Sequence, residues 1–364
     1  MEKRERNSAI ELLRVATIIL IIFHHFNIHG IWGGQDVFSP GWQLFASCMT
    51  GWGGNVGNEI FMIITGYFMI TGKVHWKRII MLLLTMFFYS WIITGFFYGV
   101  MNWPLTIKEI SKYAIPIWTG ENWFVCCYLI FMCFVPFINP FFKTLSKERY
   151  QILLFLNYFL FIFIPALNLH GNTYMKGAFI QFFIMYMLGG YIRLYGKFWV
   201  TEQHRKIWRK LFLFGILLIG IASVFPMIHE KFWGSYWRII HLIEAPMAVS
   251  CFMMALCHKP FSSKIINGVA GSVLGIYLIH DNPLVRKFIW TVWSPNLDYL
   301  DTWYFPLFMI GKVALVFLVC LGIDRLRLRF VEPYMQRYVD TQWPKWERKL
   351  DACKVRMNRY LMKM

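Results

Sequence analysis

Near its N-terminus the chain has the apolar stretch Ile10-Glu-Leu-Leu-Arg-Val-Ala-Thr-Ile-Ile-Leu-Ile-Ile-Phe-His-His25. No formal charge follows Arg14 for 21 residues, until Asp36, and a membrane-spanning helix needs about 20 apolar residues. Basic residues precede this run, but no small-residue cleavage site follows it. We therefore interpret it as an uncleaved first transmembrane helix and not as a signal peptide.

The composition extends this interpretation to the whole chain. Of its 364 residues, 58% are hydrophobic and only 15% are charged, whereas a soluble domain has about 25% charged residues. This excludes a water-soluble enzyme and a disordered chain. We predict an all-α polytopic membrane bundle of ten transmembrane helices, at residues 10–30, 53–72, 79–100, 122–142, 151–168, 178–195, 210–228, 238–257, 265–281 and 303–324.

The basic residues predict how the bundle lies in the lipid bilayer. If the N-terminus is cytoplasmic, the inner segments hold 28 of the 37 Lys and Arg residues and the outer loops hold 7. Such a bias is typical of the cytoplasmic side, so we predict cytoplasmic N- and C-termini in a multi-pass protein of the plasma membrane. The net charge of +18 is spread over many segments, and we therefore expect no nucleic-acid partner.

The cysteines predict neither a metal site nor a disulfide framework. The eight cysteines are scattered, mostly within predicted helices, where cysteine behaves as a small apolar residue. The adjacent pair Cys126-Cys127 lacks the spacing of metal ligands. We expect no metal ion.

Ionisable groups within the spans are costly and therefore candidates for function. Arg14 and His25 are eleven residues apart, which is about three helical turns and about 16 Å of rise, so they share one face of the first helix. Glu59 lies near the outer end of the second helix, where we expect it to meet His25. A carboxylate beside an imidazole suits a general base. These three residues are our catalytic candidates.

Other polar residues gather at the two membrane surfaces. Toward the outside we add four further candidates: His24, Trp123, Tyr277 and His280. At the inner side, cations and paired glycines could hold the phosphates of a cofactor: Lys77, Arg78, Gly189, Gly190 and Arg193. Each group has a simpler explanation, because polar and aromatic residues are common at helix ends, and paired glycines often serve close helix packing.

Several of these segments resemble the acyltransferase-3 family, bacterial integral-membrane acyltransferases of surface glycans. The characteristic motif of this family is an arginine followed, after ten intervening residues, by a histidine. Arg14 and His25 match this spacing. The other similar segments are, in order, Glu59-Ile-Phe-Met-Ile-Ile-Thr-Gly-Tyr-Phe68, Asn122-Trp-Phe-Val-Cys-Cys-Tyr-Leu129, Leu188-Gly-Gly-Tyr191, Gly275-Ile-Tyr-Leu-Ile-His280 and Glu332-Pro333. The likeness runs from about residue 8 to 335.

The resemblance implies transfer of an acyl group, most often acetyl in this family, from cytoplasmic acetyl-CoA to a hydroxyl group outside. The acceptor would be a cell-surface glycan or a lipid-linked sugar. His25 would act as general base, or carry the acyl group transiently, with Glu59 orienting it and Arg14 steadying the donor. The acyltransferase domain would span residues 1–335, and residues 336–364 would form a basic cytoplasmic tail that lies on the lipid surface as an interfacial helix.

The sequence also departs from the family pattern. Val15 and Thr65 replace a common glycine and serine, and only Lys77-Arg78 stands where many members have an R-x-x-R motif. The C-terminal hydrolase-like domain of some members is missing, so we expect either direct transfer by the membrane domain or a separate extracytoplasmic transfer partner. A transporter or flippase of an envelope precursor is the alternative function, although no matching pair of broken helices supports it.

Overall fold

The computed structural model describes residues 7–32, 41–167 and 177–361, and these residues form helices joined by turns, with no strand among them. The main helices are, in chain order, α1 (Ser8–Gly30), α2 (Trp42–Gly51), α3 (Gly53–Met69), α4 (Trp76–Gly99), α5 (Ile107–Ala114), α6 (Trp123–Thr144), α7 (Lys147–Leu167), α8 (Ala178–Tyr195), α9 (Glu202–Ile228), α10 (Trp233–Leu256), α11 (Lys264–His280), α12 (Phe305–Phe330) and α13 (Glu332–Leu361). The predicted all-α polytopic bundle is confirmed.

Each of the ten predicted spans corresponds to one of these helices. In the described part of the chain, eight helices are long and apolar enough to cross a membrane. The two remaining spans correspond to α3 and α11, which have 17 residues each, at the lower limit of a spanning helix. The number of crossings and the side on which the termini lie remain predictions.

α1 and α11 run parallel and contact each other at both ends. At one end the Ser8 hydroxyl donates a hydrogen bond to the Asn267 side chain at 2.8 Å. At the other end His25 contacts His280. Both helices run from the first contact to the second. We therefore name the two ends of the bundle, after these contacts, the Ser8 end and the His25 end.

Glycines let α3 pack closely against its neighbours on both sides. A Cβ atom at Gly57 would lie 2.6 Å from Ile21 on α1. On the opposite side, a Cβ at Gly189 on α8 would collide with the backbone carbonyl of Ile63, and one at Gly66 would collide with that of Tyr186. Backbones in such contact are typical of small-residue helix interfaces in membranes.

α2 was not predicted, because its ten residues lie in a segment that we assigned to an outer loop. It supports the His25 end of α1. The Ser47 hydroxyl donates to the Asn27 side-chain oxygen at 2.5 Å, and the Asn27 amide donates to Thr50 at 3.0 Å. These contacts fix the last turns of α1, which carry the histidines.

α12 extends six residues beyond its predicted end because its last turn carries a buried ionic cluster. Arg327 donates to Asp324 at 2.8 Å and also binds Glu332, the first residue of α13. Tyr89 on α4 donates to the same Asp324 at 2.6 Å. A buried ion pair needs such additional hydrogen bonds to offset its desolvation, so the helix continues until Arg327 meets its partners.

The predicted tail is helical and contacts the rest of the chain. Lys77 binds Asp340 on α13 at 2.7 Å, and this hydrogen bond, with a second from Gln336, lowers the pKa of the Asp340 carboxyl. The helix begins at Glu332, four residues before the predicted boundary at 336. Its placement on a lipid surface remains a prediction.

Candidate active site

Four side chains meet at the His25 end of the bundle. Two come from α1, one from the end of α11 and one from the turn after α11. We call them the histidine cluster: His25, His29, His280 and Asp281. The Nδ1 atom of His25 lies 2.9 Å from Nε2 of His280 and 3.5 Å from Asp281 Oδ1. His25 is only 8% exposed, so its imidazole faces protein groups and not hydrocarbon. The structure brings the candidates His25 and His280 together at one end of the bundle, and their roles remain predictions.

The hydrogen bonds of the cluster assign the protons on its imidazoles. Nδ1 of His280 lies 2.6 Å from the carbonyl oxygen of Ile276, and because a carbonyl only accepts, this nitrogen carries the proton. In a neutral His280, Nε2 then accepts, so Nδ1 of His25 donates to it. The proton of neutral His25 is therefore on Nδ1, and its Nε2 holds a free lone pair, as a general base requires.

Asp281 is buried and paired with a cation. Its carboxylate is 1% exposed and lies 3.2 Å from Nη1 of Arg286, on the short helix Pro283–Lys287. Arg286 thereby balances the charge of a carboxylate that would be costly to bury alone. The same carboxylate is 4.0 Å from Nε2 of His29. Asp281 thus places a negative charge beside two histidines of the cluster.

The cluster also has the donors of a metal site. Ligand atoms of His25, His29 and Asp281 all lie within 4.8 Å of one another, and two imidazoles with a carboxylate are a common zinc donor set. The positive charge of Arg286 beside Asp281 opposes a cation there. Our expectation that no metal takes part remains a prediction.

Arg14 and His24 occupy other surroundings on α1. Arg14 lies three turns toward the Ser8 end and donates to Glu11 at 2.9 Å, with about a third of its side chain exposed. His24 hydrogen-bonds to the carbonyl of Gly51 at the end of α2. Because successive residues point about 100° apart on a helix, His24 faces α2 and α3 while His25 faces α11. His24 therefore packs between α1, α2 and α3 and is not a member of the histidine cluster.

The predicted contact between Glu59 and His25 is wrong. Glycines form the face of α3 that packs on α1, among them Gly57, and Glu59 is two residues further, about 200° around the helix. Its carboxylate consequently points away from α1 and accepts a hydrogen bond from Gln181 on α8 at 2.9 Å. Asp281 takes the place beside His25 that we assigned to Glu59.

The aromatic candidates line the approach to His280 from α6. The rings of Tyr277 and His280 have centroids 6.1 Å apart, and Phe124 packs edge-on against Tyr277 at 5.9 Å. Trp123, partly exposed at the start of α6, contacts Phe124 and Phe182. Tyr277 therefore touches the cluster directly, whereas Trp123 is one ring further away.

The glycines predicted to bind a cofactor serve helix packing instead. Gly189 and Gly190 are buried against α3, where the space of a Cβ at Gly190 is taken by Tyr150 and Ile70. No room is left there for a cofactor phosphate. The cations at the Ser8 end have other partners: Arg193 donates to the Tyr67 hydroxyl at 3.2 Å, Lys77 binds Asp340, and Arg78 is exposed.

Sequence reasoning missed two members of the site. Asp281 follows His280 directly, so the adjacent position was a usable signal, yet we had assigned the carboxylate role to Glu59. His29 is four residues after His25 and so shares its face of α1, but a histidine near a helix end is usually interfacial. Arg286 had no signal, because only the turn after α11 brings it to Asp281.

One of three comparisons with known proteins gives a match. A search of curated proteins gave no significant match, and a search of solved structures gave none either. A family model described as an acyltransferase domain, acyltransferase-3, matches residues 7–325, nearly the whole chain. The matched range contains α1, α11 and every residue of the histidine cluster. The chain therefore belongs to the acyltransferase-3 family and is a multi-pass membrane acyltransferase.

Proposed function

We propose that this acyltransferase moves an acetyl group from cytoplasmic acetyl-CoA to a hydroxyl group of a glycan or lipid-linked sugar outside the plasma membrane. The observation that carries the proposal is the proton order from Ile276 through His280 to His25. It leaves Nε2 of His25 free to accept a proton at the His25 end, which we predict to face outward.

His25 acts as the general base in the proposed reaction. Its Nε2 takes the proton of the acceptor hydroxyl while the hydroxyl oxygen bonds to the carbonyl carbon of the thioester. The carbon–sulfur bond then breaks, and the sulfur of CoA leaves with the proton that His25 gives back. Asp281 stabilises the imidazolium that exists between these steps, because its carboxylate lies 3.5 Å from His25 Nδ1.

The donor approaches from the Ser8 end in this proposal. Arg14 lies about 16 Å of helix from His25 on the same face of α1, and in this proposal the acyl group passes Arg14 on its way to His25. Lys77, Arg78 and Arg193 supply positive charge at the same end, suited to the phosphates of CoA. Lys77 would exchange its partner Asp340 for a phosphate, which makes the docked tail part of the donor entrance.

Acetyl transfer by the purified protein tests the proposal. The full-length protein in lipid nanodiscs receives acetyl-CoA labelled in the acetyl group, with envelope glycan from cells that lack this protein. We expect label to enter the glycan and free CoA to appear in equal amounts. Mass spectrometry of envelope glycans should show loss of an acetyl group in those cells. Transport of a precursor without release of CoA would favour the flippase alternative.

The Asp281→Asn variant should slow the reaction without abolishing it. Asparagine keeps the shape of the side chain but removes the charge that stabilises the His25 imidazolium, while Ile276 and His280 still fix the tautomer. We expect kcat to fall about tenfold, which corresponds to about 1.4 kcal/mol of transition-state stabilisation. Asp301→Asn, an exposed acid near the same end, is the control. Wild-type kcat in Asp281→Asn would exclude the role given to this carboxylate.

A further inference from the structure

A polar cavity lies outside the histidine cluster, between α3, α7, α8 and α10. Its volume is about 290 Å³, near the lower limit of small-molecule sites. We call it the carboxylate cavity, after the two acids among its polar lining residues, which are Asn55, Glu59, Gln181, His241 and Glu244. The reaction proposed above uses none of them.

Glu59 presents an unused hydrogen-bond acceptor in this cavity. The residue is 2% exposed, and its Oε1 accepts from Gln181 at 2.9 Å. Its Oε2 is buried and has no hydrogen-bond partner among the described residues. A buried carboxylate oxygen without a donor is costly. The cavity therefore lacks a hydrogen-bond donor that a ligand can bring.

Glu244 faces the same cavity and is already satisfied. Its two oxygens accept from the Asn55 amide at 2.9 Å and meet Nδ1 of His241 at 3.1 Å. Asn55 and Gln181 each keep further amide hydrogen-bonding capacity beyond the bonds that they give to the acids. The cavity thus offers fixed acceptors and donors around a single free carboxylate oxygen.

The remaining walls are apolar and aromatic. Phe161 and Pro165 of α7 line one side, and the ring of His241 lies against Trp237 with centroids 5.9 Å apart. Hydroxyl groups that donate to carboxylates and amides, combined with a C–H face that packs on rings, are the chemistry of a sugar. A small inorganic ion would use the acids but not these walls.

The cavity lies at the end of the bundle where the acceptor is expected. Asn55 follows Gly54, where an added Cβ would collide with the ring of His24, the neighbour of His25 on α1. The histidine cluster and the carboxylate cavity therefore lie at the same end of the bundle, with α1 and α3 between them. A glycan with several sugar residues could occupy both places at once.

We propose that the carboxylate cavity binds a sugar residue of the acceptor glycan other than the residue that is acetylated. This inference rests on the proposed function, in which the acceptor is a glycan. Glu59 is the central contact and accepts a hydrogen bond from a sugar hydroxyl. The cavity thereby selects the acceptor, while the histidine cluster carries out the transfer.

The isosteric variant Glu59→Gln tests the proposal in the full-length protein in nanodiscs. A hydrogen bond to a charged group is worth more than one to a neutral group, so we expect the KM for isolated envelope glycan to rise about 10- to 100-fold. The KM for acetyl-CoA should stay at the wild-type value. Glu148→Gln, the same change at an exposed acid in the first turn of α7, is the matched control.

Glycan binding without acetyl-CoA separates this inference from the proposed function. Envelope glycan should raise the midpoint of thermal unfolding of the wild-type protein, and Glu59→Gln should lose that shift. An unchanged shift and an unchanged KM for glycan would mean that Glu59 is simply protonated, and would overturn the inference. An equal rise in both KM values would also overturn it. If no acetyl is transferred but the shift depends on Glu59, the proposed reaction fails while the sugar site stands.

Discussion

Replacing His25 by alanine should reduce acetyl transfer by about 10²- to 10⁴-fold, the range that a positioned general base contributes. The loss should appear both in labelled glycan and in released CoA, because one imidazole takes the proton in the step that breaks the thioester. His25 lies in a protein-lined position at 8% exposure, so water cannot freely replace it. Kinetics of the purified protein in nanodiscs measure the effect.

The control for this prediction is His229→Ala, the same change at an exposed histidine beyond the end of α9. It should leave both products at wild-type levels. His25→Ala should also purify in normal amounts, since its ring contacts other cluster members rather than the tightly packed glycine interfaces. Transfer at the wild-type rate by a folded His25→Ala protein would refute the proton order on which the proposed function depends.

The lengths of the helices could be predicted because the bilayer sets them. A hydrocarbon core of about 30 Å demands apolar runs of a certain length, and all ten predicted spans correspond to helices. The face shared by Arg14 and His25 followed from helical period alone. What lies opposite His25 did not follow, because the partner comes from α11, which is more than 250 residues away in the chain.

Glu59 shows where reasoning from depth alone goes wrong. Its height near the outer end of α3 was compatible with contact to His25, but depth says nothing about direction around the helix. The glycines at 53, 54 and 57 carried that information, since small residues mark the side of a helix that touches a neighbour. A glycine face toward α1 leaves the carboxylate at position 59 on the far side. The spacing of the small residues was therefore the better guide.

The same contacts give Gly189 a role that the motif did not reveal. Its resemblance to a family segment and its position at the inner side suggested cofactor binding. In the structure, a Cβ at this position would collide with the carbonyl of Ile63 and lie 2.8 Å from the backbone nitrogen of Tyr67. Backbone atoms of a packed helix cannot move aside as a flexible side chain can. Close packing of α3 and α8 therefore requires glycine here.

Gly189→Ala should accordingly destabilise the whole bundle. We expect the free energy of unfolding to fall by about 1–3 kcal/mol or more, as for overpacked cores. Because α3 is held between α1 and α8, a shift of α3 away from α8 would also disturb its contact with α1. The measurement is the midpoint of thermal unfolding in detergent, followed by the fraction that remains monodisperse after heating. The yield of folded protein should fall with it.

Gly95→Ala is the matched control, because this glycine also lies within a spanning helix but a Cβ there would meet nothing within 4 Å. Alanine has the higher helix propensity, so this variant should be unchanged or more stable by up to about 1 kcal/mol. The two glycines thus predict changes of opposite sign from the same substitution. If Gly189→Ala were as stable as Gly95→Ala and instead raised the KM for acetyl-CoA, the glycine would bind the donor. The packing argument would then be wrong, since a folded protein with a Cβ at that position requires α3 and α8 to stand further apart.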